Sequence, residues 1–283
     1  MLAVLAGVSR AVAKRMVAEG AATFGGATVA PAERIAAATV VEYDPPPPPE
    51  PLAPEPLDFG VLFEDEHLAV IDKPAGLVVH PGAGRSGGTL AAGILHRWPQ
   101  VRGVGDEDRW GIVHRLDRDT SGAMAVGLTH DGFAGLRAAI KAREVERDYV
   151  ALVAGAPDAP VGTVDAPLGR DPQRPTLVRV DRDGRPAVTH FEVAEQLPGA
   201  TLLRVRLETG RTHQIRAHLR SIGLPVVGDT AYGGPPGAPR VFLHSRRLAF
   251  DHPIGGGRVD VEAPLPGDLA GVLERLRSGA PLA

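Results

Sequence analysis

The sequence contains no cysteine, which excludes disulfides, cysteine-ligated zinc, iron–sulfur clusters and a thiol nucleophile, and fits a reducing cytosol. Aromatic residues are only 4% of the 283, so a core must be built mostly from Val, Leu, Ile and Ala. No apolar run approaches the roughly 20 residues that cross a bilayer. Met1–Gly7 is apolar but short and has no basic leader, which reads as neither signal peptide nor anchor. An excess of positive charge is also missing, since the formal net charge is −3. Its distribution matters more than its sum. Residues 44–66 carry seven acids and no Lys or Arg, and with these set aside the remaining charge is net positive. Residues 204–220 hold Arg204, Arg206, Arg211, Arg216 and Arg220 against Glu208 alone.

Proline is abundant in one place: residues 45–56 hold eight prolines in twelve positions. Such a run neither continues a helix nor pairs in a central strand, and it favours an extended, semi-rigid linker. The expected organisation is a small module over 1–44, a proline-rich acidic linker over 45–58 and a body over 59–283. In the small module Ser9 and Gly20 bracket a helix whose buried face is Val12, Ala13, Met16 and Val17, followed by a short β-like stretch with a Gly25-Gly26 turn. In the body, strands are expected at Leu68–Ile71, Leu77–Val79, Ala123–Leu128, Tyr149–Val153, Thr201–Leu207 and Val241–Leu243. Helices are expected at Gly88–Arg97, Gly132–Arg143 and Thr212–Ile222. The elements do not alternate strictly, so the fold class expected is α+β, with a mixed, mostly antiparallel sheet flanked by helices.

Three segments concentrate chemistry. His114-Arg115-Leu116-Asp117-Arg118-Asp119-Thr120-Ser121-Gly122 packs two acids, two arginines, a histidine and two hydroxyls into nine residues beside a strand. A capped turn with Arg–Asp pairing would explain it blandly, while a functional loop on a rigid scaffold would explain its density. Thr209-Gly210-Arg211-Thr212-His213-Gln214-Ile215-Arg216-Ala217-His218 is a glycine turn entering a helix. There His213, Arg216 and Arg220 share one face and Ile215, Leu219 and Ile222 the other. An arginine held on such a helix can pair with a carboxylate and keep it ionised; a solvated basic face is the plain alternative. Arg147-Asp148-Tyr149 opens a strand, and its tyrosine suits either the core or stacking on a base.

Taken together and in order, these blocks resemble the family of pseudouridine synthases that modify large-subunit ribosomal RNA and some transfer RNA. Asp72-Lys73-Pro74-Ala75-Gly76, His80-Pro81-Gly82, Gly228-Asp229, Tyr232-Gly233, Phe242-Leu243-His244 and His252-Pro253 also match, so the resemblance spans about residues 60–265. It implies that Asp117 is the catalytic aspartate, that Tyr149 stacks on the target base and later acts in proton removal, and that Arg216 ion-pairs the carboxylate. It also implies that Arg115 fills the space of the flipped nucleotide. His114, Arg211 and His213 are the further RNA contacts expected in the body, although the block around His114 also suits loop shaping. Arg147 departs from the family's usual lysine while keeping its charge. The small module resembles the RNA-binding domain named after ribosomal small-subunit protein four, with Arg10, Lys14 and Arg15 as its RNA contacts. It departs in a shortened first helix and in Phe24-Gly25-Gly26, where a Val-Asn-Gly turn is common.

The resemblance implies an isomerase that acts on ribosomal RNA or alternatively transfer RNA in the cytoplasm; that reaction needs no redox change or external energy, so no cofactor or metal is expected, no membrane contact is expected, and a monomer is the default. Rival readings are weaker. Gly84-Arg85-Ser86-Gly87-Gly88 fits the G-x-S-x-G of serine hydrolases, but lies in a glycine-rich turn where such patterns arise by chance. A non-catalytic RNA-binding or ribosome-assembly protein would leave the order Asp117, Tyr149, Arg216 unexplained. His213 and His218, five apart, do not share a helical face as metal ligands would. The letters His114-Arg115-Leu116-Asp117 differ in order from a kinase catalytic loop, and the D-F-G of this chain, Asp58-Phe59-Gly60, lies before that segment rather than after it.

Overall fold

A computed structural model describes the chain except for residues 1, 8–9, 31–32, 35, 37–38, 45–51, 82–86, 107–108 and 283, and the side chains of Arg10 and Ala11. Ser9, Ser86 and most of the proline run therefore lie outside the described residues. The chain divides into two compact units, Met1–Pro51 and Leu52–Ala283.

The first unit holds helices α1 (Leu2–Leu5) and α2 (Arg10–Ala18) and a two-stranded antiparallel sheet of β1 (Ala22–Phe24) and β2 (Val41–Tyr43). Ala13 and Met16 of α2 pack with Leu2, Ala22 and Phe24 into a small core. Gly25 and Gly26 turn the chain after β1 with φ of 63° and 80°, which glycine adopts without strain. Lys14 and Arg15 are exposed on α2.

The second unit begins earlier than the expected linker end at residue 58. Leu52 is buried in the main core, and the Glu55 carboxylate accepts from the Gly88 amide. The sheet is built from β3 (Gly60–Glu64), β4 (Leu68–Lys73), β5 (Ser121–Gly127), β6 (Glu146–Ala154), β7 (Val161–Asp165), β10 (Val188–Leu197), β11 (Ala200–Leu207), β12 (Leu243–Asp251) and β13 (Arg258–Glu262). A separate hairpin joins β8 (Leu168–Arg170) and β9 (Val178–Val180). The helices are α3 (Leu90–Arg97), α4 (His130–Ala142), α5 (Gln214–Ser221) and α6 (Gly267–Arg277). The large sheet runs β3-β4-β5-β12-β6-β11-β10-β7, with β13 also on β12. Every pairing is antiparallel except β5–β12. The α+β class with a mixed, mostly antiparallel sheet holds.

Side-chain alternation explains why both faces are covered. In β4 and β5, Ala69, Ile71, Met124 and Val126 join one core with residues of α3, α5 and α6, while Leu68, Val70, Ala123 and Ala125 join a second core with Leu136 of α4. Both helix starts are set by threonine caps rather than by the glycines: Thr89 accepts from the Ala92 amide ahead of α3, and Thr129 from the Gly132 amide ahead of α4. Leu77–Val79 is not a strand; Val78 makes one isolated bridge to Thr89. The strand expected at Val241–Leu243 begins only at Leu243 and continues to Asp251. The long β10–β11 hairpin was only half expected. In β10 the residues are mostly part-exposed, so it lacks the apolar run that marked the other strands.

The parallel β5–β12 junction is closely packed beside the charged loop. Gly122 has φ of 114° and faces Ser245, and a Cβ there would overlap the Ser245 carbonyl. Gly122→Ala is expected to destabilise the protein by about 3 kcal/mol or more, because strain and overlap add. A denaturant midpoint within error of wild type would refute this.

Candidate active site

Residues 112–120 run along the sheet into β5, and the chain's alternation sorts their side chains. Arg115 points to solvent, Leu116 is buried, and the Asp117 carboxylate that follows is partly exposed. The backbone of this loop is held by cations. Lys73, fully buried at the end of β4, donates to Pro74 O (2.7 Å), Leu77 O (2.9 Å) and Arg118 O (3.0 Å). Burial pulls its pKa down to about 8, with Arg240 adding and Asp119 and Asp117 opposing. Arg240 donates to Asp119 O (3.0 Å) and Ser121 Oγ (3.1 Å) and is itself gripped by Asp268 of α6 at 2.7 and 3.2 Å.

The second segment folds as a glycine turn and then α5, which begins at Gln214 because His213 adopts the left-handed region at φ 51°. Gln214 and His218, one turn apart, are buried and tie the helix to the sheet. Gln214 donates to Val188 O (2.9 Å) and Thr189 Oγ1 (3.0 Å), and His218 meets Thr189 Oγ1 at 2.8 Å and Ala166 O at 2.9 Å. This anchoring aims Arg216 inward. Its Nη1 donates to Asp117 Oδ2 at 3.1 Å, while Nε and Nη2 form a fork on Asp229 at 2.6 and 2.8 Å. Burial opposes the charge of Arg216, yet the hydrogen bonds and charges of Asp229 and Asp117 raise its pKa overall. The guanidinium also lies 4.9 Å from the ring centroid of Tyr232, whose hydroxyl meets His213 Nδ1 at 3.1 Å. The plain alternative of a solvated basic face thus fails at Arg216, while Ile222, expected on the apolar face, is 42% exposed.

A cleft of about 770 Å³ brings these parts together. Asp117, Tyr149 and Arg216 line it, as do Arg115, His114, Arg211 and His213. Among the described residues its lining has nine Lys and Arg side chains against two carboxylates, Asp117 and Glu208. Tyr149 is 6% exposed; burial pushes its phenol up, Asp117 adds to this, and Arg147 and Ser245 oppose. His114, expected as an RNA contact, lines the cleft and also holds the loop. Its Nε2 accepts from the Ala125 amide at 3.0 Å, and burial with Arg147 nearby lowers its pKa to about 3. A neutral ring bonded in this way suits the loop-shaping alternative. Burial likewise lowers the pKa of His213, with Asp117 opposing. Lys14 and Arg15 belong to the first unit, and the side chain of Arg10 lies outside the described residues.

Asp229 and Arg240 carry roles that the sequence reading did not assign. The Gly228-Asp229 pair was a visible signal for the first, whereas Arg240 had none. The cleft-lining cations of α4, Arg137 and Lys141, also went unassigned. Among the described residues no group of three or more His, Cys, Asp or Glu could hold a metal ion, and no helix is long and apolar enough to cross a membrane.

A family model described as RNA pseudouridylate synthase matches residues 67–221. An RNA pseudouridine synthase of Mycobacterium bovis, described as uncharacterized, is 38% identical over 98% of this chain and 92% of its own length. Proteins named ribosomal large subunit pseudouridine synthase D are similar as well. That of Xanthomonas campestris is 45% identical over 80% of this chain and 71% of its own, and that of Pseudomonas aeruginosa 46% over 78% and 72%. Among solved structures, human RNA pseudouridylate synthase domain containing 4 superposes with a TM-score of 0.62 at 25% identity, covering 77% of this chain and 93% of its own.

Proposed function

Because this chain belongs to the RNA pseudouridylate synthase family and is an RNA pseudouridine synthase, we propose that it isomerises uridines of large-subunit ribosomal RNA in the cytoplasm, with Asp117 as its catalytic carboxylate. The observation that carries the reading is the Asp117–Arg216–Asp229 triplet inside a cation-lined cleft. The ribosomal target rests on the relatives named for the large subunit.

The reaction breaks the C1′–N1 bond and makes a C1′–C5 bond, while a proton leaves C5 and N1 gains one. Nothing is oxidised and no external energy enters, so the reading includes no cofactor. A stacked base is out of reach, and extruding it costs a few kcal/mol. In this reading Tyr149 stacks on the extruded uracil and Arg115, exposed at the cleft, fills the vacated space. The Tyr149 phenol is protonated at neutral pH, which suits stacking; burial pushes its pKa further up and the Arg147 charge beside it opposes that rise. Arg211, His213 and Lys141 contact the phosphates around the target, whose attraction weakens with salt. The first unit, in the reading over 1–44, acts as an RNA-binding module through Arg10, Lys14 and Arg15, and the protein works as a monomer.

Arg240→Gln is expected to lower kcat on the order of 10–100-fold with RNA affinity kept, since loop displacement of about 1 Å has that size of effect. Single-turnover conversion set beside an RNA-binding isotherm measures it; a change confined to affinity would contradict it.

The deciding experiment is carbodiimide mapping of pseudouridine in total RNA from cells with and without the gene, complemented by wild type or Asp117→Asn. Sites in large-subunit RNA should vanish without the gene and return only with wild type. Loss confined to transfer RNA would replace the ribosomal target, and no change at any site would overturn the reading.

A further inference from the structure

The two deeply placed arginines of the cleft are treated in opposite ways. Arg216 has two carboxylates. Arg147, only 4% exposed, has none among the described residues. Its Nη2 donates to the main-chain carbonyls of Glu208 (3.0 Å) and Leu207 (3.4 Å), and its Nε is buried without any hydrogen-bond partner. A buried cation without a counter-charge costs several kcal/mol, and proteins rarely keep one idle. Space is also left for it: a Cβ on Gly210 would come within 3.0 Å of Arg147 Nη1.

Its position limits what the missing anion is. Arg147 and Tyr149 are two residues apart on β6, so they share a face, and both line the cleft. The backbone phosphates of a bound RNA have exposed partners such as Arg115 and Arg109. A residue buried next to the stacking tyrosine is left for the base itself.

We propose that Arg147 is a further catalytic residue, whose guanidinium binds a carbonyl oxygen of the target uracil and stabilises the negative charge that gathers there during isomerisation. The assignment rests on the uridine-isomerising reading of the cleft. It does not depend on how Asp117 acts. If the carboxylate attacks C1′, or if a glycal forms, the C1′–N1 bonding pair leaves with N1 and delocalises onto the uracil oxygens. If instead the carboxylate adds to C6 of the ring, the ring becomes an enolate with its charge on O4, one of those same oxygens. When the C1′–C5 bond has formed and the C5 proton has left, N1 takes a proton and the charge disappears. A fixed buried cation at such an oxygen accelerates only the steps that carry the charge.

The test uses the full chain, transcribed large-subunit ribosomal RNA bearing the mapped uridine, and the variants Arg147→Met, Arg147→Lys and Arg147→Ala. Arg147→Met should lower single-turnover kcat by about 10²–10³-fold, the effect of removing one such donor. RNA affinity should stay within about twofold and the salt dependence of binding should be unaltered, because no phosphate contact is lost. Arg147→Lys keeps a point charge and should retain clearly more activity than Arg147→Met, and added ethylguanidinium should partly rescue Arg147→Ala. Unchanged kcat in Arg147→Met overturns the assignment. So does a defect confined to affinity with a shallower salt slope, which would make Arg147 a phosphate contact. So does equal inactivity of the Lys and Met variants without rescue, which would make the role structural. A wild-type chain that forms no pseudouridine in any RNA would sink the reading of the cleft as a whole, whereas turnover by wild type with an unaffected Arg147→Met sinks Arg147 alone.

Discussion

Asp117→Asn should eliminate turnover, by about 10⁴-fold or more in single-turnover conversion, while RNA binding and fold survive. The size follows from chemistry: an amide has neither the charge nor the nucleophilicity of the carboxylate at nearly the same shape. The survival follows from the geometry. Arg216 keeps its fork on Asp229 when Asp117 becomes neutral, so no buried charge is stranded. The measurement is pseudouridine release from RNA under excess enzyme, beside a binding isotherm and a thermal melt of the same preparation. Product at even a few per cent of the wild-type rate would remove Asp117 from the centre of the reaction. Lost binding with an intact melt would instead make it an RNA contact.

Arg216→Gln is expected to fail differently, in stability as well as activity. The glutamine leaves Asp229, 1% exposed, without its fork, and leaves the Asp117 carboxylate near it without a shared cation. Removing one partner of a buried pair costs about 3–5 kcal/mol, because the other charge is left uncompensated. The double substitution Arg216→Gln with Asp229→Asn removes that stranded charge and should recover most of the stability without recovering activity, since nothing then holds Asp117. Denaturant titrations of the single and double variants give the coupling energy directly. Additive losses would show that Asp229 is not the group that suffers when Arg216 goes.

Much was legible in the linear chain because it is encoded locally. The apolar runs of Leu68–Ile71, Ala123–Leu128 and Tyr149–Val153 lie in strands covered on both faces, and such runs carry the strand signal without partners. The threonine caps and the part-exposed strands were harder. Thr89 and Thr129 compete with neighbouring glycines as helix starts, and β10 and β13 are part-exposed, with charges that read as loop. The order of the motif blocks, from Asp72-Lys73-Pro74 through His114–Gly122 to Thr209–His218, was enough to point to the family.

What the chain by itself determined, then, is which residue types exist, in what order, and which segments prefer helix or strand. It placed Asp117, Tyr149 and Arg216 on one list of candidates. Their meeting was decided by the sheet: Arg216 reaches Asp117 across 99 residues of sequence, through an α5 tied to the sheet and a loop held from behind by Lys73 and Arg240. Only that packing made one buried arginine doubly paired and left Arg147 without a carboxylate among the described residues. A side chain's charge is written in the sequence, but its solvation and its partners belong to the folded surroundings, and those set what the charge can do.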